Sequence, residues 1–201
     1  MAKVYEFIAN GTEEIEALTV VDVLRRAGVD IKTVSITGSN EAVLSHGVKI
    51  ECDTTIEQAD LSDADMLLLP GGLPGATNLN EHDGVRKAML NQYNSGKKVG
   101  AICAAPLVLG SLGILKGKKA TCYPGFEDQM TGAEYTADVY TIDGNIITGC
   151  GPAATLPYSY AILEMLGYTN EAKALREGMM FNKLGSELCS PEHLRSARIR
   201  N

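Results

Sequence analysis

Residues 97–113 read KKVGAICAAPLVLGSLG, and this stretch decides the fold. Lys98 to Ile102 form an apolar strand, Cys103 takes the turn, and a helix is expected over about 105–112. A residue on so sharp a strand-to-helix turn is held out at the carboxyl end of a parallel sheet, with the helix N-terminal amides aimed at it. Such amides lower a thiol pKa and offer donors to an anion. Gly100, Ala101, Ala104 and Ala105 are small enough to let the turn close. The glycine that G-x-S-x-G places two residues after its nucleophile is absent, so a buried core cysteine is the competing reading.

Outward from this elbow the chain alternates short apolar runs with helical stretches. A strand over 4–9, a helix over about 13–27 and a strand over 31–37 make a βαβ unit. The near-continuous apolar run 64–69 suits a strand buried on both faces of a parallel sheet. A short strand over 119–121 follows the elbow, and strands over 138–142 and 145–148 pair across the turn Asp143-Gly144 as a hairpin. Helices over about 156–166 and 170–180 close the pattern. The expectation is an α/β sandwich with a mostly parallel sheet and helices on both faces, forming one domain over 1–182. Residues 183–201 change character and are expected to be a disordered tail or translated cloning-site sequence.

Composition narrows the function classes. The chain has 201 residues, a length suited to a single domain, and its formal charge is −7 with no long basic run, so nucleic acid is a poor partner. With no 18-residue apolar run and no signal-peptide pattern, the expectation is a cytoplasmic protein without a membrane anchor. Its 5 cysteines are odd in number and scattered without a CxxC pair, and the 3 histidines show no metal spacing. A disulfide framework, a metal site and a bound cofactor are therefore not expected.

Two further features surround the elbow. Glu16 shares a helical stripe with Val20, Val23 and Ala27, which directs a carboxyl inward. There it must pair with something or hold its proton, because desolvation raises a carboxyl pKa, although a first-turn acid at a positive helix end is the competing account. The segment LLLPGGLPGATNL opens a buried strand into a loop where Gly71 and Gly72 let backbone amides approach a ligand. It lacks the Lys-Ser/Thr ending of a phosphate-binding P-loop. A second small-residue loop, 148–155, also follows a strand, so both are expected on the carboxyl edge beside Cys103, where open α/β sheets bind ligands.

The motifs GTEEIEALTVVDVLRRAGV, DMLLLPGGLPGATNL, GAICAAP and GCGPAAT, in this order, resemble the ThiJ/PfpI superfamily and within it the DJ-one clade, over residues 2 to about 180. The resemblance implies a flavodoxin-like three-layer sandwich of the class I glutamine amidotransferase type, with a nucleophile elbow, acting as a homodimer. It makes Cys103 a low-pKa nucleophile, Glu16 a protonated carboxyl bonded to the sulfur, and the Gly72 and Ala104 amides an oxyanion pocket. Gly71, Tyr123, His46, Gly151 and Pro152 would border the substrate. The implied activity is cofactor-free glyoxalase or deglycase chemistry on small reactive aldehydes such as methylglyoxal. The alternatives are an oxidative-stress sensor or chaperone with an oxidisable Cys103, and a cysteine peptidase.

Departures weigh against the peptidase. Peptidase members carry His after the nucleophile, where this chain has Ala104, and relatives often place His where it has Tyr123. His46 stands where relatives have an arginine that reaches across the dimer. Cys150 stands where some have Arg or Gln, as a resolving thiol or as loop filling.

Overall fold

The computed structural model describes residues 1–188. The chain runs β1 (Lys3–Ile8), α1 (Glu14–Arg26), β2 (Asp30–Ser35), β3 (Glu41–Val43), β4 (Lys49–Glu51), β5 (Thr54–Thr55), β6 (Met66–Leu69), α2 (Gly75–Glu81), α3 (Asp83–Asn94) and β7 (Lys98–Ile102). It continues through α4 (Pro106–Ser111), β8 (Lys119–Ala120), β9 (Glu134–Tyr135), β10 (Tyr140–Asp143), β11 (Ile146–Gly149), α5 (Thr155–Met165), α6 (Thr169–Gly178) and α7 (Phe181–Leu188).

The main sheet has the order β10-β11-β7-β6-β1-β2-β5 and is parallel except for the β10-β11 hairpin, whose two-residue turn is Gly144-Asn145, one residue beyond the expected Asp143-Gly144 because Asp143 pairs with Ile146. All of β6 is buried, as its unbroken apolar sequence requires of a strand covered on both faces. The sheet grows one way from β1 to β2 and the other way from β6 to β7. Right-handed crossovers therefore send α1 and α3 to opposite faces. α1 packs against α5, with α6 and α7 beyond, while α2 packs against α3 and α4.

The direction of growth reverses between β1 and β6, and their carboxyl-end loops meet there. The Glu13 amide donates to the Gly71 carbonyl at 3.0 Å and the Gly75 amide to the Gly11 carbonyl at 3.1 Å. This is the switch point where doubly wound sheets place their sites. The sequence pattern did not contain the β3-β4 hairpin, strands β5 and β9, or helices α2, α3 and α7. The chain remains helical across the expected domain end at 182, because α7 docks Phe181 edge-on to Tyr160 with ring centroids 5.3 Å apart. The remainder of the expected tail lies outside the described residues.

Candidate active site

Cys103 follows the last residue of β7 with φ +63°, a left-handed conformation that costs a side-chain-bearing residue roughly 1–2 kcal/mol. Its backbone is held from both sides. The Cys103 amide donates to the Gly149 carbonyl at 2.9 Å, and the Cys103 carbonyl accepts from the Tyr123 amide at 2.9 Å. Strain of this kind persists where the surroundings over-determine a conformation. The turn leaves the thiol 8% exposed at the sheet's carboxyl edge. Helix α4 begins three residues later and is only one and a half turns long, so the donors nearest the sulfur are the Gly72 and Ala104 amides.

Glu16 points from α1 into the same place and is fully buried. Its Oε2 accepts from the Gly71 amide at 2.8 Å, its Oε1 has no hydrogen-bond partner among the described residues, and the carboxyl converges with Cys103 on Gly71. Burial pushes Glu16 up to about 7, against the lowering effect of the adjacent Cys103 thiol and the Gly71 amide. The stripe reading of Glu16 is therefore the one the packing supports.

The thiol departs from the sequence expectation. Burial first, and then the adjacent Glu16 carboxyl, push Cys103 up to about 12, and the Gly72 and Ala104 amides only partly offset them. Desolvation of an elbow packed this tightly works against the low-pKa expectation, and the backbone dipoles work for it. Cys103 and Glu16 lie side by side at Gly71, and burial raises both.

Glycine at 71 is what lets the pair meet. A Cβ there would lie 2.6 Å from Cys103 Cβ, 2.6 Å from Glu16 Oε2 and 2.9 Å from the Ile102 carbonyl. Gly72 adopts φ +86°, which turns its amide toward the sulfur and presses the loop onto the backbone at Thr12 and Glu13.

Tyr123 and Gly151 line the rim. Tyr123 is 46% exposed, and its ring carbon Cδ2 lies 3.1 Å from where a Gly151 Cβ would sit. Pro152 follows in a single 3-10 turn, its carbonyl accepting from Thr155 Oγ1 at 2.7 Å. His46 is not brought to Cys103. Its Nδ1 lies 2.8 Å from Glu14 Oε2 and 3.6 Å from Glu13 Oε2, and its side chain is 74% exposed. His46 therefore engages acids of its own chain. Although burial opposes ionisation of Glu14, hydrogen bonds from His46 and Ser45 outweigh it and hold this carboxyl down at about 2. One ligand atom each from Glu13, Glu14 and His46 falls within 4.8 Å of the others, and the cluster is satisfied by its own hydrogen bonds.

The site also contains groups that the sequence reading passed over. Gly149 supplies the carbonyl that holds the elbow. Glu6 on β1 is fully buried, its Oε2 lacks a partner, and burial pushes its pKa well up. Tyr158 of α5 is also buried, with an unpartnered hydroxyl that lies 2.7 Å from the Cβ position of Gly100. The one sequence signal for this layer was an acid inside the strand KVYEFI.

Among the described residues no helix is long and apolar enough to cross a membrane. Residues 2–165 match the sequence model of the DJ-1/PfpI family. DJ-1 homolog B of Arabidopsis thaliana is 38% identical over 161 residues, which are 79% of this chain and 37% of that protein. The chain thus spans about two-fifths of the length of the two Arabidopsis relatives it matches. A glutathione-independent glyoxalase of Caenorhabditis elegans is 31% identical over 174 residues, 85% of this chain and 91% of the relative. A deglycase of Pyrococcus horikoshii is 31% identical over 172 residues, 82% and 99% of the two chains. The oxidized DJ-1 of Toxoplasma gondii superposes with a TM-score of 0.86 at 30% identity, covering 90% of this chain and 98% of the other. The fold is thus the flavodoxin-like sandwich of that structure, and with its cysteine elbow set against a buried glutamate, this chain belongs to the DJ-1/PfpI family.

Proposed function

We propose that the protein is a cofactor-free enzyme of glyoxalase type acting on small 2-oxoaldehydes, with Cys103 as nucleophile and Glu16 as its proton carrier. The observation that carries this reading is a buried carboxyl poised at about 7 that meets the Cys103 side chain at Gly71. A general base works best with a pKa near the working pH. As the Cys103 sulfur attacks the aldehyde carbon, Glu16 takes the thiol proton and returns it to the new alkoxide, which the Gly72 and Ala104 amides stabilise. Glu16 then removes the hydrogen from the former aldehyde carbon and delivers a proton to the neighbouring carbon. This gives a 2-hydroxyacyl thioester on Cys103, which water hydrolyses to the 2-hydroxy acid and free thiol. The relatives named glyoxalase and deglycase support this substrate class.

The test is conversion of methylglyoxal to lactate without glutathione. The expected result is turnover in the native chain and its loss in Cys103→Ser and in Glu16→Ala. A double variant that keeps the native rate refutes the scheme.

The sensor reading is favoured by one observation of its own. The amides and acid that stabilise an alkoxide also suit an oxidised Cys103. A peptidase is disfavoured, since no imidazole contacts Cys103 among the described residues and His46 is committed to Glu14. We assign the homodimer implied by the resemblance to the face of α1 and β3-β4, where Ile15, Leu18, Val43 and Val48 are exposed, and light scattering tests it.

A further inference from the structure

The two strands that build the elbow each end on a thiol. In the parallel pairing of β7 with β11, Ile102 is in register with Gly149, and the next residue on each strand is a cysteine, Cys103 and Cys150. The strands are still bonded at that point, since the Cys103 amide donates to the Gly149 carbonyl at 2.9 Å. Paired strands lie about 4.8 Å apart, within the Cα separation of roughly 4.4–6.8 Å that a disulfide needs.

The Glu16 carboxylate raises both thiols, with burial the larger cause in each. Cys150 is half-buried, and its amide is fixed to the Val139 carbonyl at 3.0 Å. The other described cysteines are placed differently. Cys52 sits in a separate small cluster with Ile8, Ala17, Ala42 and Leu44, and Cys122 is fully buried.

We propose that Cys150 is the resolving thiol of Cys103, so that oxidation by a hydroperoxide ends in an intramolecular Cys103–Cys150 disulfide and not in a sulfinate. In the first step the Cys103 sulfur attacks the terminal peroxide oxygen and the O–O bond breaks. Cys103 is oxidised to the sulfenic acid, and the peroxide is reduced to water or an alcohol. In the second step the Cys150 sulfur attacks the Cys103 sulfur and the S–O bond breaks. The departing hydroxide leaves as water with the Cys150 proton, and the S–S bond forms. One hydroperoxide supplies both oxidising equivalents. A sulfinate would need a second hydroperoxide molecule, whereas Cys150 is present at every encounter. The bridge would also withdraw the Cys103 nucleophile reversibly.

The test treats the full chain with equimolar hydrogen peroxide and maps peptides without reduction. The expected product is a loss of about 2 Da in a linked pair carrying Cys103 and Cys150, reversed by dithiothreitol. Under the same treatment Cys150→Ser is expected to stop at the sulfenic acid, a gain of about 16 Da at Cys103, and to reach about 32 Da only with a second equivalent of peroxide, while Cys122→Ser still forms the bridge. A sulfinate at Cys103 in the native chain with Cys150 still open to alkylation overturns the proposal, and so does a bridge from Cys103 to any other cysteine. The readout is covalent and independent of aldehyde turnover, so its failure is distinct from failure of the glyoxalase reading.

Discussion

Gly71→Ala adds one methyl group at the point where the thiol and the carboxyl meet. Its Cβ would lie 2.6 Å from Cys103 Cβ and 2.6 Å from Glu16 Oε2, whereas carbon contacts are favourable at about 3.5–4.0 Å. An overlap of about 1 Å must therefore be relieved. Cys103 cannot easily retreat, because its amide and carbonyl are both bonded, to Gly149 and Tyr123. Glu16 is held by the Gly71 amide itself, so it moves with the loop and the pair opens. Overpacking of this kind costs about 1–3 kcal/mol, which for a domain this size lowers Tm by roughly 3–9 °C. A displacement near 1 Å costs a reaction on the order of 100-fold. The assay is alkylation of Cys103 by iodoacetamide, followed by mass spectrometry across the neutral pH range and paired with thermal unfolding. Gly178→Ala is the control, since nothing lies within 4 Å of its Cβ position. We expect Gly71→Ala to lose the native dependence on a group titrating at about 7 and Gly178→Ala to retain it. If Gly71→Ala alkylates at the native rate with the native pH midpoint, close approach at Gly71 is not what holds the pair together.

Other consequences follow from the same geometry. Because Glu16 must be ionised to take the thiol proton, alkylation of Cys103 should rise with pH and level off above about 7, and Glu16→Gln should abolish that limb; superimposed profiles would dismiss Glu16 as the base. A carboxyl raised in the folded state from 4.5 to about 7 means that the native chain binds the extra proton between those values. Stability therefore falls as pH rises through that window, by about 3 kcal/mol in all, and denaturant titrations of Glu16→Gln should lack this fall. Glu14 has the opposite sign. Its carboxyl is held at about 2, so its contribution is present above the ordinary carboxyl range and is lost as pH drops toward 2, and Glu14→Gln should remove that acid limb in the same titrations. Thr148→Val leaves the buried Thr121 amide without the hydroxyl it bonds at 2.8 Å, and should cost roughly 1–3 kcal/mol by urea unfolding. An unchanged midpoint would mean that another acceptor takes over.

The parts of the fold legible in the sequence were those where one periodicity dominates. β6 is apolar throughout because both of its faces are covered, and the β10-β11 hairpin announced itself by alternation around Asp143-Gly144. Helices α2 and α3 were missed because α2 begins inside a glycine-rich loop and α3 buries only Val85, Met89 and Gln92. Three buried residues in twelve give a weak stripe. The site was partly visible for a similar reason. An inward Glu16 conflicts with its apolar stripe, and an acid that breaks a pattern is informative, whereas Glu6, which breaks one too, was read simply as part of a strand.

By itself the sequence determined the βαβ alternation, the cysteine elbow and an inward-facing Glu16, because local spacing fixes which face a side chain takes; that Glu16 meets Cys103 was implied by the family resemblance. Only the tertiary structure decided their chemistry. Burial of the elbow under α1 raises the thiol when the backbone amides alone would lower it, and places the useful titration on Glu16. The tertiary fold also turned His46 to Glu14 and ended β7 and β11 in register, with Cys103 and Cys150 the next residue on each. Desolvation and strand register depend on what packs from elsewhere in the chain, and no local window of sequence contains that information.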